Sequence, residues 1–206
     1  MHRLKRRIAD HTALPSPPPS SFVAAVALSW VSFVRARHRA GIVPPDDEVT
    51  VFFFADGRTR LDPPPGDGYF GTCITGCLAR TAARDLLAED EDEAGALALA
   101  CAAAAVAAEV RRAAEDPLAL WDWMELARWV DLARMANVSG STRFPAYEAS
   151  DFGWGPPART ELATMNHDGQ IVLLAGKGGG GAVQASVSIH SAQMDAFKAH
   201  FLSYLG

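Results

Sequence analysis

The chain has 206 residues, of which 49% are hydrophobic and 21% charged; this composition indicates a globular domain with a sizeable core and excludes a disordered segment. A formal net charge of −5 argues against a nucleic-acid-binding protein and against a polybasic membrane-binding surface. Cys73, Cys77 and Cys101 are an odd number of cysteines, which favours reduced thiols over a disulfide framework. Cys73 and Cys77 have no second His or Cys cluster, so we predict no metal site.

No targeting segment is predicted, because the basic start of the chain runs into a proline tract instead of an apolar core. The longest apolar run, residues 94–108, is rich in alanine and too short for a spanning helix. We therefore expect a cytoplasmic protein with no membrane partner.

The first part of the chain is predicted to be mainly helical around one strand. Residues 1–10 can form a short basic helix that the prolines end, and Ser20 or Ser21 can cap a second helix that ends at Gly41. The β-branched and aromatic run Val49 to Ala55 predicts a buried strand. Further helices are expected over 96–114 and 121–135.

The last part of the chain is predicted to contain strands at 138–144, 159–165, 171–175 and 182–189. Turns are expected at 166–169 and 176–181, and Ser191 can cap a closing helix. The predicted fold class is α+β, with helices first and a meander late. The glycine tract 176–181 lacks the Ser or Thr that follows Lys in a phosphate-binding loop, so we predict that it forms the tip of a hairpin.

One pentapeptide, Asp151-Phe152-Gly153-Trp154-Gly155, fits neither a helix nor an ordinary strand. Its alternate glycines allow positive φ, and its two rings can bury large areas. Asp151 would then need a cation or several donors. We expect the stretch to be a structural turn without a catalytic role.

The pentapeptide resembles the signature of the BAHD acyl-CoA-dependent acyltransferases of plants. Asp56-x-Arg58-x-Arg60-Leu61 and the Tyr69-Phe70-Gly71 stretch are similar to further motifs of that family. The resemblance extends over essentially the whole chain and is closest to the malonyl- and hydroxycinnamoyl-transferase branch. Four residues depart from the usual pattern of the family: Thr72, Thr142, Pro156 and Gln184.

The resemblance implies a fold and a domain organisation. The fold would be one lobe of the chloramphenicol-acetyltransferase-like architecture, with helices on a mixed or antiparallel sheet. Residues 1–20 would be an N-terminal remnant and a proline-rich linker, and residues 21–206 would be the C-terminal lobe. Within that lobe, residues 145–170 would carry the signature and pack on a first lobe.

The reaction of the family uses a histidine in an H-x-x-x-D motif as general base. The residues four positions after the six histidines are Arg6, Pro15, Ile42, Ile171, Met194 and Tyr204, and none of them is Asp. No catalytic residue is therefore predicted, and His167 and His190 read as surface or packing residues. The expectation is an acyltransferase truncated to its C-terminal half and inactive alone. The alternative is a non-catalytic binding or interaction module, or a truncated gene product.

The resemblance also implies partners. Acyl-CoA would be the co-substrate, with no bound cofactor, and the acceptor would be a phenolic or flavonoid glycoside. An exposed inter-lobe face is expected to promote self-association. Because Asp151 lies among aromatic residues, Arg58 and Arg60 are its candidate ion-pair partners.

Overall fold

The computed structural model describes residues 1–12, 18–88, 93–119, 122, 124–125, 128, 130–163 and 167–205. The helices of these residues are α1 (His2–Asp10), α2 (Ser21–Arg39), α3 (Glu93–Glu115) and α4 (Ser191–Ser203). The strands are β1 (Glu48–Asp56), β2 (Ile74–Ala82), β3 (Met135–Gly140), β4 (Gln170–Ala175) and β5 (Val183–Ser188). Two short 3-10 helices, Ala83–Asp85 and Leu132–Arg134, follow β2 and precede β3.

The five strands form one mixed sheet in the order β2-β1-β3-β4-β5. β1 runs antiparallel to β2 and parallel to β3, β3 runs parallel to β4, and β4 runs antiparallel to β5. The predicted α+β class with a mixed sheet is therefore confirmed.

α2 is the central helix of the core, and its sequence explains both of its ends. The Ser20 side chain accepts a hydrogen bond of 3.2 Å from the Val23 N–H, so the predicted cap is present. Trp30 and Phe33 are completely buried at its centre. After the helix, Gly41 adopts a φ of 73°, a left-handed conformation that favours glycine.

The main core lies between the helices and one face of the sheet. Val49, Val51 and Phe53 alternate along β1 toward this core, as the period of a strand requires. From α1, Leu4 and Ile8 enter the same cluster, each with an exposed fraction of 2%. α1 therefore packs into the same core as the elements that follow residue 20, across the predicted boundary.

α3 is longer than the apolar run that predicts it. Its 23 residues include an 18-residue window that is apolar enough, by length and composition alone, for a membrane crossing. Leu99, Ala102 and Val106 are nevertheless buried in the protein core. The same helix packs on α2 and β2, so its apolar side is occupied by other parts of the chain.

Several sequence predictions are wrong in detail. β2 was not predicted. The strand predicted at 138–144 begins at Met135 and ends at Gly140, where a Cβ atom would lie 2.3 Å from the Leu173 carbonyl oxygen. Of the helix predicted over 121–135, residues 121, 123, 126–127 and 129 lie outside the described residues; near its end, Leu132–Arg134 form a 3-10 helix and Met135 begins β3.

The late meander is also corrected. Residues 159–163 form no strand, and 164–166 lie outside the described residues. β4 pairs with β3 in parallel on one side and with β5 on the other, so only the last two predicted strands form a hairpin. The closing helix is capped by His190, whose Nδ1 accepts from the Ala192 N–H at 3.3 Å; Ser191 is its first residue.

Candidate functional site

The signature loop is organised by its own aspartate. One carboxylate oxygen of Asp151, Oδ1, accepts the Gly153 N–H at 2.8 Å and the Gly155 N–H at 3.0 Å. Both glycines have positive φ, 97° and 91°, as their spacing predicts. The carboxylate thus finds its donors within four residues, and the loop needs no distant cation to be ordered.

The two aromatic rings of the signature point outward. The exposed fractions of Phe152 and Trp154 are 83% and 93%. The expectation that these rings bury large areas is therefore wrong for this lobe by itself, and Asp151 is exposed rather than enclosed by them. Such exposure of two large rings in one ordered loop is typical of a surface that contacts another body.

The arginine connector after β1 shapes a second loop. The Asp56 carboxylate accepts the Arg58 N–H at 3.0 Å, and the Arg58 guanidinium donates to the Gly71 carbonyl oxygen at 2.8 Å. A Cβ atom at Gly71 would lie 2.2 Å from the outer end of the exposed Tyr69 ring, so a larger residue here would displace that side chain. Next to it, the Phe70 side chain is fully exposed.

The candidate partners of Asp151 are placed elsewhere. Among the ion pairs of the described residues, none joins Asp151 to Arg58 or Arg60. Arg58 is directed to Gly71, and Arg60 is exposed. The physical reason is that nearby backbone N–H groups reach the carboxylate without ordering a long loop.

A closed hydrogen-bond ring joins the two sides of the signature segment. The Tyr147 hydroxyl donates to Gln184 Oε1, and the Gln184 amide nitrogen donates to the Thr160 carbonyl oxygen at 2.8 Å. The Thr160 N–H donates back to the Tyr147 hydroxyl at 3.3 Å. Gln184 lies on β5, so the ring fixes the ends of the exposed loop to the sheet. Sequence reasoning noted Gln184 only as a departure from the family pattern and did not find this contact.

Glu109 and Arg112 of α3 form a charged pair that contacts the outer edge of β2; we call this pair the α3 clasp. Glu109 Oε2 accepts the Leu78 N–H at 3.2 Å and the Arg112 Nε–H at 3.0 Å. Arg112 also donates to the Gly76 carbonyl oxygen at 2.7 Å. Burial raises the pKa of the Cys77 thiol to about 11. The charge of Arg112 lowers this pKa, and the charge of Glu109 raises it by a smaller amount. Cys77 is therefore a neutral thiol and not a nucleophile at neutral pH.

The histidines form no catalytic arrangement in the part of the chain that the structure describes. His190 caps α4, and its own backbone N–H donates to Asp168 at 2.9 Å. Asp168 also accepts from the buried Arg37 at 2.9 Å, which joins the end of α2 to the start of α4. His167 is exposed, and the described residues contain no group of three potential metal ligands.

Comparison with known proteins decides the family. The model of the Transferase family matches residues 2–203. The chain belongs to this family, that of the BAHD acyltransferases. The BAHD resemblance that the sequence motifs predicted is thereby confirmed.

The BAHD relatives are plant enzymes of the expected branch. Phenolic glucoside malonyltransferase 2 of Arabidopsis thaliana is 27% identical, over 98% of this chain and 42% of its own length. A malonyltransferase of Salvia splendens that acts on an anthocyanin 5-O-glucoside is 29% identical, over 89% and 38%. BAHD acyltransferase DCR of A. thaliana is 32% identical, over 95% and 39%. The chain spans about two fifths of the length of these curated relatives.

Solved structures confirm the fold expected of a BAHD lobe. Vinorine synthase superposes with a TM-score of 0.69 at 18% identity, over 97% of this chain and 44% of its own. TRI101 of F. sporotrichioides, solved in complex with coenzyme A, gives a TM-score of 0.68 at 18% identity, over 96% and 46%. The predicted lobe of a chloramphenicol-acetyltransferase-like fold is therefore confirmed.

Proposed function

We propose that this chain supplies one lobe of a BAHD acyltransferase that moves an acyl group from coenzyme A to a hydroxyl of a phenolic or flavonoid glycoside. Membership of the family over residues 2–203 supports the reaction class. The named substrates of the malonyltransferase relatives support the glycoside acceptor and a malonyl donor. The coenzyme A complex of TRI101 supports a thioester co-substrate.

In this reaction the acceptor oxygen bonds to the acyl carbonyl carbon, the thioester C–S bond breaks, and the acceptor proton ends on the released thiol. A general base that takes this proton contributes typically about 10²–10⁴-fold to the rate. Neither His167 nor His190 is placed for that role: His190 is engaged as a helix cap, and His167 lies in an exposed turn. The base is therefore assigned to an H-x-x-x-D segment outside these 206 residues.

The exposure of Phe152 and Trp154 is the observation that supports joint action of this lobe with a second one. The signature loop is ordered by Asp151 and fixed at Tyr147 and Thr160, so its rings are held outward by structure. We assign these rings to the inter-lobe contact, and residues 145–170 to the segment that makes it. The same surface would support self-association of the lone lobe, in a cytoplasmic setting that suits its three free cysteines.

A complementation assay tests the proposal. The purified chain is incubated with malonyl-CoA and a phenolic glucoside, alone and fused behind the H-x-x-x-D half of the Arabidopsis phenolic glucoside malonyltransferase 2. We expect no transfer above background from the chain alone and measurable transfer from the fusion, lost when the motif histidine becomes Ala. Turnover by the chain alone that disappears in His167→Ala or His190→Ala would contradict the assignment of the base.

A second candidate function is a binding module without turnover, which the lack of a placed base favours. Calorimetric titration of the lone chain with coenzyme A distinguishes the two. Binding without any activity in the fusion would support the module. Activity in the fusion would support the enzyme lobe.

A further inference from the structure

The end of α2 is strongly basic, and its charges are not used to cap the helix. Three main-chain N–H groups of residues 40–42 donate to carbonyl oxygens of the last turn, at 2.8, 3.0 and 3.2 Å. Basic side chains at a helix end commonly serve these carbonyl groups, but here the turn after the helix does so. Arg37 is instead paired with Asp168. Among the ion pairs of the described residues, none involves Arg35 or Arg39.

Arg35 is a buried cation that no described carboxylate neutralises. Its exposed fraction is 5%. Its Nε donates to the Leu86 carbonyl oxygen at 2.9 Å, its Nη2 donates to the Ala88 carbonyl oxygen, and its guanidinium lies 5.4 Å from the centroid of the Tyr204 ring. Within the described ranges, no hydrogen bond uses Nη1. Because a buried charge is costly unless an opposite charge pairs with it, this arrangement favours an anion from solution.

A cavity of about 380 Å³ opens beside this guanidinium. Its lining contains two arginines, two histidines and one leucine, and no carboxylate: Arg35, His38, Arg39, Leu87 and His200. Arg39 is exposed, and its guanidinium bonds to none of the residues that the structure describes. The cavity has the volume of a small-molecule pocket and is lined by positive charge.

His38 gives this cavity a further chemical property. Its Nδ1 lies 2.7 Å from the Val43 carbonyl oxygen, which only accepts, so Nδ1 carries a proton. In the neutral ring Nε2 is then an acceptor. Near neutral pH inorganic phosphate still carries at least one proton, whereas sulfate carries none. A neutral His38 therefore suits phosphate better than sulfate.

We propose that this cavity binds a phosphate group, either as the free anion or as the monoester of a small molecule. The planar guanidinium groups of Arg35 and Arg39 bind two phosphate oxygens through N–H bonds. His38 accepts the phosphate hydroxyl, and Leu87 borders the space for an organic part. None of the lining residues belongs to the signature segment or to the connector after β1, so the inference does not rest on the acyltransferase assignment.

Calorimetric titration of the full chain at about pH 7 tests the proposal. Inorganic phosphate should bind to one site with a dissociation constant below about 1 mM. Sulfate should bind about tenfold more weakly, because it has no hydroxyl for His38. Glucose 6-phosphate distinguishes the two sources of the group. Tighter binding than that of inorganic phosphate assigns a monoester, and weaker binding assigns the free anion.

A pair of variants tests the location of the site. Arg39→Gln removes an exposed cation of the cavity and should weaken phosphate binding by about tenfold. Arg111→Gln is the matched control, because it removes the same charge from an exposed position on α3 and should bind as the wild type does. Arg39→Lys keeps the charge but loses the planar fork, so its affinity should lie between those of the wild type and Arg39→Gln. Urea denaturation of each variant checks that it is folded.

Three results would overturn the inference. One is the absence of saturable phosphate binding by the wild-type chain, including the case in which binding appears only after residues 89–92 are replaced by neutral amides. These four residues are acidic, follow Ala88 in the sequence and lie outside the described residues. The second is equal weakening by Arg39→Gln and Arg111→Gln, which would indicate an effect of net charge. The third is binding of sulfate as tight as that of phosphate.

Discussion

The two edge strands of the sheet differ in whether their outward main-chain groups have partners. At the β2 edge, the α3 clasp supplies an acceptor for the Leu78 N–H and a donor for the Gly76 carbonyl group, in place of a neighbouring strand. At the β5 edge, the Gln184 side chain reaches outward to the Thr160 carbonyl oxygen. The protection of a sheet edge is therefore local. The helix packed beside β2 protects that strand and has no effect on β5 at the opposite edge.

The largest effect is expected where the protected edge is broken. Glu109→Ala leaves the Leu78 N–H and the Arg112 guanidinium without their shared acceptor, and the two charged side chains are only 21% and 27% exposed. The free energy of unfolding should fall by roughly 2 kcal/mol, measured by urea denaturation. Arg111→Ala, at the exposed neighbouring position, should change it by about 0.5 kcal/mol or less. Equal stability of the two variants would show that the α3 clasp contributes nothing.

A smaller effect is expected at the contact between Gln184 and Thr160 beside β5. In Gln184→Glu the new carboxylate cannot donate to the Thr160 carbonyl group, so the free energy of unfolding should fall by about 1–2 kcal/mol. Tryptic cleavage after Arg159 should become faster, while cleavage after Arg58 serves as internal reference.

Tyr147→Phe removes the hydroxyl of the same ring and should have a similar effect. The double variant should be less affected than the sum of the two. Strict additivity would mean that the hydrogen-bond ring does not act as a unit.

The pKa of Cys77 gives a smaller, pH-dependent test of the protected edge. Burial raises the pKa of this thiol from 9.0 to about 11, so the native state keeps a proton that the unfolded state loses. Stability from this group is complete below pH 9 and is lost as the pH rises toward 11. The free energy of unfolding should fall by about 1 kcal/mol between pH 9 and about pH 10. Cys77→Ala should remove that part of the slope; an unchanged slope would contradict the assignment.

The smallest effect is expected for the coupling energy between Asp151 in the signature loop and Arg58 in the connector after β1. Asp151 is satisfied by Gly153 and Gly155, and Arg58 by Gly71. A double-mutant cycle on Asp151→Ala and Arg58→Ala should therefore give a coupling energy below about 0.5 kcal/mol. A coupling well above that value would mean that the two loops meet in solution.

Strong local signals made part of this fold predictable. Ser20 before a helical apolar run and Gly41 after it define α2, and the β-branched and aromatic run defines β1. The positive φ of Gly153 and Gly155 follows from their spacing around bulky residues. In each case the determining interactions lie within a few residues of one another.

Other features depend on contacts that a linear pattern does not record. β2 mixes glycine, cysteine, arginine and threonine, and it is a strand because β1 and α3 lie on either side of it. An alanine-rich helix such as α3 has little contrast between its faces, and its pattern does not indicate that Leu97 is exposed while Leu99 is buried.

The candidate site shows the same division. The ion pair expected of Asp151 does not form, because main-chain N–H groups only two and four residues away bond to its carboxylate and close a much shorter loop. Gln184 and Tyr147, by contrast, are 37 residues apart, and no spacing rule connects them. Their partnership is a property of the fold.

The ring of Tyr204 has a consequence for the order of the chain. Its centroid lies 5.1 Å from the Arg7 guanidinium and 5.4 Å from that of Arg35, so the first helix and the last residues are neighbours. A short glycine-rich linker could therefore join residue 205 to residue 1. If the chain were reopened between Gly66 and Asp67, in an exposed loop, this circular permutant should reach the same fold.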